Sequence, residues 1–464
     1  MNKTVVLNVV GLTKRLIGEH TPFIKSFLEK GTSACIQPVL PAVTCSAQST
    51  YLTGKWPSEH GIVGNGWYFK DECEVKFWRQ SNKLVRAEKV WEQLKKQDNS
   101  FTCANLFWWY NMYSTADFSV TPRPNYLADG RKIPDIYSYP AGLRDQLQEK
   151  LGTFPLFHFW GPKTSIKSSQ WIADAAIQTD MLHNPTLTLV YLPHLDYNIQ
   201  RFGLDFDKIG KDLREIDGVV EQLVSHYEKQ DANVILLSEY GITDVNNPVH
   251  LNRVLRSKGF LALREERGLE LLDAGASEAF AVADHQVAHI YLNNPSIKEE
   301  IKQLIAGVKG VEKVLSDQDL ERMNLKHQRC GDLVAIADKD SWFTYYFWED
   351  DRKAPDFARM VDIHKKPGYD PVEMFTDPAD KLVVPRIVGK LLKKKLGFRT
   401  VMNVIPLKAE LVKGSHGRIP EDDQDYPIFI TSKKQLLPTA PIEGTEVCKL
   451  IRDHVARVDH KSHD

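Results

Sequence analysis

Two rhythms of apolar and polar residues alternate along the chain. "TVVLNVVGL" (4–12) is a nearly continuous β-branched run ended by glycine, the pattern of a strand buried on both faces. "TPFIKSFLEKG" (21–31) reads as a helix closed by glycine, and "TSACIQPVLP" (32–41) returns to strand. "EKVWEQLKKQDN" (88–99) predicts an amphipathic helix, with "SFTCANLFWW" (100–109) as the strand after it. Two more apolar runs, "PTLTLVYLPHLD" (185–196) and "NVILLSEYG" (233–241), end in polar residues. Buried strands alternating with helices predict an α/β fold, a mostly parallel central sheet with helices on both faces. Ligands in such sheets bind beyond the carboxyl ends of the strands, which makes Asn8, Asp196 and Glu239 candidates by position alone.

Two stretches break this rhythm. Residues 121–165 are Pro- and Tyr-rich and read as a long excursion over the site. Residues 278–336 run as strand ("EAFAVADHQVAHIYL"), helix ("SIKEEIKQLIAGVKG"), strand ("VEKVLS") and strand ("GDLVAIA"), an inserted small α+β subdomain. The expected organisation is a core over 1–260, an inserted cap over 261–340, and completion of the core over 341–464. "WFTYYFWEDD" (342–351) reads as a core strand followed by an acidic turn.

Composition narrows the class. With 464 residues, 42% hydrophobic and 26% charged, the chain can build one large α/β domain with an insertion. A formal net charge of −1 points away from a nucleic-acid polymer or an anionic membrane as the main partner. The basic run "KLLKKKLGFR" (390–399) reads as a solvated helix face. Six dispersed cysteines without CxxC spacing fit reduced thiols. The first apolar run is too short for a signal peptide, and none reaches about eighteen residues. The expectation is a cytoplasmic protein without membrane insertion.

The densest chemistry lies in "PAVTCSAQSTYLTGKWPSEHGIVGN" (41–65). Thr44 follows Pro41 and opens a helix closed by Gly54. It is either an ordinary N-cap or a nucleophile, and a threonine hydroxyl at neutral pH needs a base or metal to ionise it. A helix N-terminus also favours a bound anion.

Pro41, Val43, Thr44, Thr53, Gly54, Pro57 and the "HGIVGN" run His60–Asn65 together resemble the type I phosphodiesterase/nucleotide pyrophosphatase family of the alkaline phosphatase superfamily. The resemblance implies an alkaline-phosphatase-like fold and hydrolysis of a phosphodiester or nucleotide pyrophosphate bond in a small phosphate-ester or nucleotide-like substrate. Thr44 would be the nucleophile, forming a phosphothreonine, and Asn65 would donate a hydrogen bond to a phosphoryl oxygen. It also implies one or two divalent metal ions, commonly zinc.

The metal motifs depart from that pattern. Val10 stands where the first strand ends in a ligating Asp, with Asn8 two residues earlier as a substitute carbonyl donor. In "LPHLDYNIQRFG", Asp196 matches the D-x-x-x-H motif and Gln200 replaces its histidine, with His194 nearby. "SEYGIT" keeps a carboxylate in Glu239, while Tyr240 replaces the second histidine. "KGSHGR" supplies His416. The expected ligands are therefore Asp196, His416, Glu239 and Asn8, an oxygen-rich set that shifts the expected ion from zinc toward manganese, magnesium or calcium.

Trp67, Tyr68 and Trp108, from the aromatic clusters, are candidates to line a substrate pocket, with core packing as the alternative. His285 and His289 read as structural or surface positions, and "VDIHKKPGYDP" (361–371) reads as a loop facing a site, with His364 a candidate replacement ligand. No C-x-P-x-R sulfatase motif, Walker A loop or Rossmann fingerprint occurs. Two rivals remain: a phosphate-ligand binding protein without catalysis, and a phosphonate or phosphomonoester hydrolase.

Overall fold

The computed structural model describes residues 1–128, 131–438 and 440–456. Its centre is a nine-stranded sheet. Across it the order is Ile442–Glu443, Thr32–Gln37, Ile428–Thr431, Asn233–Leu237, Thr4–Val9, Leu187–Leu192, Cys103–Leu106, Phe118–Pro122 and Ile136–Tyr139. Thr4–Val9 pairs in parallel with both of its neighbours, and the parallel run continues through Cys103–Leu106 to Phe118–Pro122. Ile428–Thr431 is antiparallel to both flanking strands, as is the edge strand Ile136–Tyr139 to its neighbour. The sheet is thus mostly parallel, as the apolar runs predict.

Thr4–Val9, Leu187–Leu192 and Asn233–Leu237 are buried at every position, which explains why these strands read as continuous apolar runs without alternation. One group of helices includes Ile166–His183, Phe206–Glu228 and Pro22–Lys30; a second includes Thr44–Thr53, Val90–Gln97 and Glu446–Val455. In register, Asn8 lies beside Tyr191 and Leu237. The segments leaving these strands, which carry Asp196, Glu239 and Tyr240, therefore emerge at one end of the sheet.

A second apolar core surrounds a four-stranded antiparallel sheet: Ala279–Asp284, Val287–Leu292, Leu333–Ala337 and Val311–Leu315, with helix Lys298–Ala306 against it. This core also draws residues from 40–110 and 342–412. Two details differ from the sequence reading. "EAFAVADHQVAHIYL" is a hairpin and not one strand, because the chain reverses at His285 and Gln286, with His285 at φ +62°. In "WFTYYFWEDD" only Trp342 and Phe343 are in a strand. The aromatics Tyr345 to Trp348 are buried without regular structure.

Candidate active site

Thr44 is the first residue of helix Thr44–Thr53, a helix whose every residue is buried. Val43 occupies the N-cap, and the Thr44 side chain makes no capping bond. Its hydroxyl is instead 3.1 Å from the Tyr240 hydroxyl, which donates to Asp196 Oδ1 at 3.2 Å. The ordinary capping role therefore does not account for Thr44. Tyr240 follows the end of strand Asn233–Leu237, and Asp196 lies in the first turn of helix His194–Phe202, which follows strand Leu187–Leu192. Two parallel neighbours of Thr4–Val9 thus deliver both groups to Thr44.

His416 arrives from far along the chain. Gly414–Ser415 pairs with Thr243–Asp244, Gly417 O accepts from Ala42 N, and His416 O accepts from Gln286 N. Gly417 has φ +119°, and a Cβ there would meet Gln286 N at 3.1 Å, so glycine is what lets this loop lie so close to the hairpin turn. The His416 ring stacks on Tyr240 with centroids 3.6 Å apart and planes at 7°. Its Nδ1 donates to Ala42 O at 2.7 Å, leaving Nε2 as an acceptor without a hydrogen-bond partner, 3.8 Å from Asp196 Oδ1. Burial pushes His416 down to about 3, so the ring is neutral.

The carboxyl groups are displaced the other way. Burial raises Asp196 to about 7, against hydrogen bonds from Gln200 and Tyr240. Burial likewise raises Glu239 to about 8, against hydrogen bonds from Gln48 and Asn8. Both amide side chains, Asn8 Nδ2 and Gln48 Nε2, donate to the same oxygen, Oε1, and Oε2 has no partner. Glu239 is thus mainly a neutral acid at pH 7.

Asn65 is fixed at three points. Its Oδ1 accepts from Cys45 N at 3.0 Å, its Nδ2 donates to Asp284 Oδ1 at 3.0 Å, and its own N–H donates to Asp284 Oδ2 at 2.8 Å. The second Nδ2 hydrogen remains free for a ligand. Asp284, itself raised to about 7 by burial, ends the first strand of the hairpin, and His285 in the turn is sandwiched between Tyr369 and His416, each 3.6 Å away between centroids. Asp284 thus anchors Asn65 and His285 lines the site, where the sequence reading took His285 as structural or surface and gave Asp284 no role. Their signal was the polar Asp-His-Gln triplet between two β runs, the composition of a turn. His289 is structural: its ring nitrogens face Val63 O and Gly331 N.

Thr44, Asp196, Tyr240 and His285 line a cavity of about 580 Å³. Its walls include Trp78, Trp109, Trp160 and Tyr369, and His364 lies on it as well. The 121–165 excursion contributes Pro122, Tyr126 and Phe157 to the walls, although part of it is the edge strand and a helix, Ala141–Leu151. Trp67, Tyr68 and Trp108 do not line it. Trp67 stacks on Phe69 and lies under Arg329, Tyr68 packs edge-on against Phe280 and Tyr291, and Trp108 belongs to the main core. Neighbouring aromatics face opposite ways here, so Trp109 reaches the cavity while Trp108 does not.

The residues around Thr44 do not fit a metal centre. Val10 is buried core, Gln200 Oε1 accepts from the Tyr369 hydroxyl, and Glu239 directs one oxygen to Asn8 and Gln48. Tyr240 bridges Thr44 and Asp196 and covers the His416 ring. Asp196 Oδ1 and His416 Nε2 lie 3.8 Å apart, but among the described residues no three His, Cys, Asp or Glu donors gather there, where catalytic zinc takes three from the protein. Asp196, His416, Glu239 and Asn8 therefore do not form the expected ligand set. Among the described residues, the one group of three such donors is His194, Asp212 and Glu215, between helices His194–Phe202 and Phe206–Glu228, and it is not part of the cavity wall. The buried imidazole there lies 3.3 and 3.2 Å from the two carboxylates.

The family model for type I phosphodiesterase/nucleotide pyrophosphatase matches residues 4–370. Ectonucleotide pyrophosphatase/phosphodiesterase 2 of Saccharomyces cerevisiae is 24% identical over 391 residues, covering 78% of this chain and 68% of that one. An ectonucleotide pyrophosphatase/phosphodiesterase of Caenorhabditis elegans is 21% identical over 345 residues, covering 71% of this chain but 38% of its own length. Among solved structures, phosphonoacetate hydrolase from Sinorhizobium meliloti superposes with a TM-score of 0.62 at 12% identity, covering 98% of this chain and 96% of that one. Murine ectonucleotide pyrophosphatase/phosphodiesterase 5 gives 0.59 at 14% identity, covering 98% and 95%. The α/β fold is the alkaline-phosphatase-like one that the sequence predicts.

Proposed function

Because the chain belongs to the type I phosphodiesterase/nucleotide pyrophosphatase family, and is by family a phosphodiesterase/pyrophosphatase-like hydrolase, we propose that it cleaves a small phosphodiester or pyrophosphate by attack of Thr44 without a metal ion in the Thr44 pocket. The observation that carries this reading is the hydrogen-bonded chain from Thr44 through Tyr240 to Asp196. As Thr44 Oγ1 attacks phosphorus, its proton moves to the Tyr240 oxygen and the Tyr240 proton moves to Asp196. The bond to the leaving oxygen breaks, and that oxygen departs with its electron pair. Water then opens the phosphothreonine, and Thr44 leaves, recovering its proton by the reverse route. The helix N-terminus and the free Asn65 amide hydrogen face charge that develops on the equatorial oxygens. A neutral Glu239 beside Thr44 spares the anionic substrate a second negative charge.

The test is hydrolysis of a chromogenic phosphodiester by chelator-treated protein, with acid quenching to trap phosphothreonine. Turnover in chelator, abolished in Thr44→Ala and reduced in Tyr240→Phe, is the expected result. Turnover that appears only on adding a divalent ion sinks the metal-free route. Absence of turnover under every condition favours the second reading, a protein that binds phosphate esters without cleaving them, to which the incomplete metal shell points.

A further inference from the structure

Residues 381–408 carry eight Lys or Arg and no Asp or Glu, in a chain whose overall charge is −1. Within them, helix Val383–Lys395 buries only Val383. Of seventeen exposed large apolar residues among those described, eight fall between Leu382 and Val401. Val384, Val388, Leu392 and Leu396 follow one another at four-residue intervals, so they form one stripe along the helix, and Leu396 is 75% exposed. Lys393, Lys394, Lys395 and Arg399 have no acidic partner among the described residues. The basic run is therefore more than a solvated face: it flanks an unburied apolar stripe.

The same segment forms one rim of the active-site cavity, to which Ile387, Leu391 and Lys394 contribute, with Phe157, 49% exposed, also on the cavity wall. We propose that this helix is an interfacial anchor that lies on an anionic lipid bilayer and holds the mouth of the cavity against it. Apolar side chains would enter the boundary between headgroups and acyl chains, while lysines reach back to lipid phosphates. Charge selects this occupant: Arg386 and Lys408 pair with Asp380 and Asp377, but a second copy on the same face would set Lys393, Lys394, Lys395 and Arg399 against their own like charges. No helix among those described is long or apolar enough to cross a membrane, so the attachment is peripheral. Joined to the hydrolase reading above, on which this corollary rests, the placement makes the substrate an amphiphilic phosphate ester whose apolar part occupies the aromatic cavity.

The experiment is flotation of the full chain with vesicles of phosphatidylcholine, alone or mixed with phosphatidylserine. It compares the parent, Val388→Glu/Leu392→Glu/Leu396→Glu, Lys393→Gln/Lys394→Gln/Lys395→Gln, and Thr44→Ala. The parent is expected to float with the mixed vesicles, to detach with added salt, and to ignore phosphatidylcholine alone. Both triple variants, with unchanged melting temperatures, are expected to bind roughly tenfold more weakly or worse. Thr44→Ala should float as the parent does, so docking is read independently of catalysis. No flotation of the parent, or equal flotation of the triple variants, overturns the proposal. So does a parent dimer that the glutamate variant dissolves, which would assign the stripe to a second copy.

Discussion

At the scale of single residues, the two displaced carboxyl groups make different predictions. Asp196 must be ionised to accept the relayed proton, and its pKa lies at about 7. The kcat/KM profile of an active preparation should rise as pH increases through about 7, and Asp196→Asn should remove that limb and lower kcat by roughly 10²–10⁴. For Glu239, the native pKa of about 8 exceeds the ordinary 4.5 of the unfolded chain. Between those values the unfolded state gives up its proton while the folded state keeps it, so stability falls as pH rises across this window. Glu239→Gln mimics the neutral acid and should raise the melting temperature little at pH 5 and most above pH 8, where the gain in stability is on the order of 5 kcal/mol. A melting-temperature difference independent of pH would refute the assignment. Thr44, Asn65 and His416 were singled out by the family resemblance, and Asp196 and Glu239 also by their place at strand ends; the structure gathers these side chains about the start of helix Thr44–Thr53. Tyr240 was legible only as a missing histidine, since nothing in "SEYGIT" tells which way a phenol points or that it bridges Thr44 to Asp196.

Among elements, the loop carrying Tyr369 owes its position to a buried charge cluster. Lys366 is enclosed with Asp370 at 2.7 Å and Glu373 at 2.8 Å, and Trp160 Nε1 donates to the other oxygen of Glu373 at 2.6 Å. Lys366→Met leaves two buried carboxyl groups without their cation and should cost about 3–5 kcal/mol, read as a lower urea midpoint. If the midpoint stays put, the loop is held by its aromatic packing alone. The strands leading to the site were legible because burial on both faces makes them uniformly apolar. The hairpin at 279–292 was not, because its two strands are equally apolar and only a two-residue turn divides them. Strand Ile428–Thr431 is just four residues long and sits in a Pro- and Asp-rich stretch, so pattern alone gave it no weight. Gly241 marks where this region closes on the site: a Cβ there would lie 1.9 Å from Asp425 O.

For the whole molecule, the two cores meet at the site. Cys45, one residue after Thr44, belongs to the second core, while Ala47 and Tyr51 of the same helix belong to the first. All six cysteines are free, and Cys73 is the exposed one. Titration of the native protein with a thiol reagent should therefore show one fast group, with the other five appearing on denaturation; more than one fast group would mean that the cores open without global unfolding. The central sheet adds a consequence of another kind. Ile428–Thr431 lies between Thr32–Gln37 and Asn233–Leu237, hydrogen-bonded to both. During translation Asn233–Leu237 leaves the ribosome with one bare edge and Thr32–Gln37 with two, because Ile442–Glu443 on its other side is made later still. A nascent chain paused ahead of Ile428 presents two templates for wrong pairing. Closure of the sheet thus waits on a strand made long after both of the strands it joins.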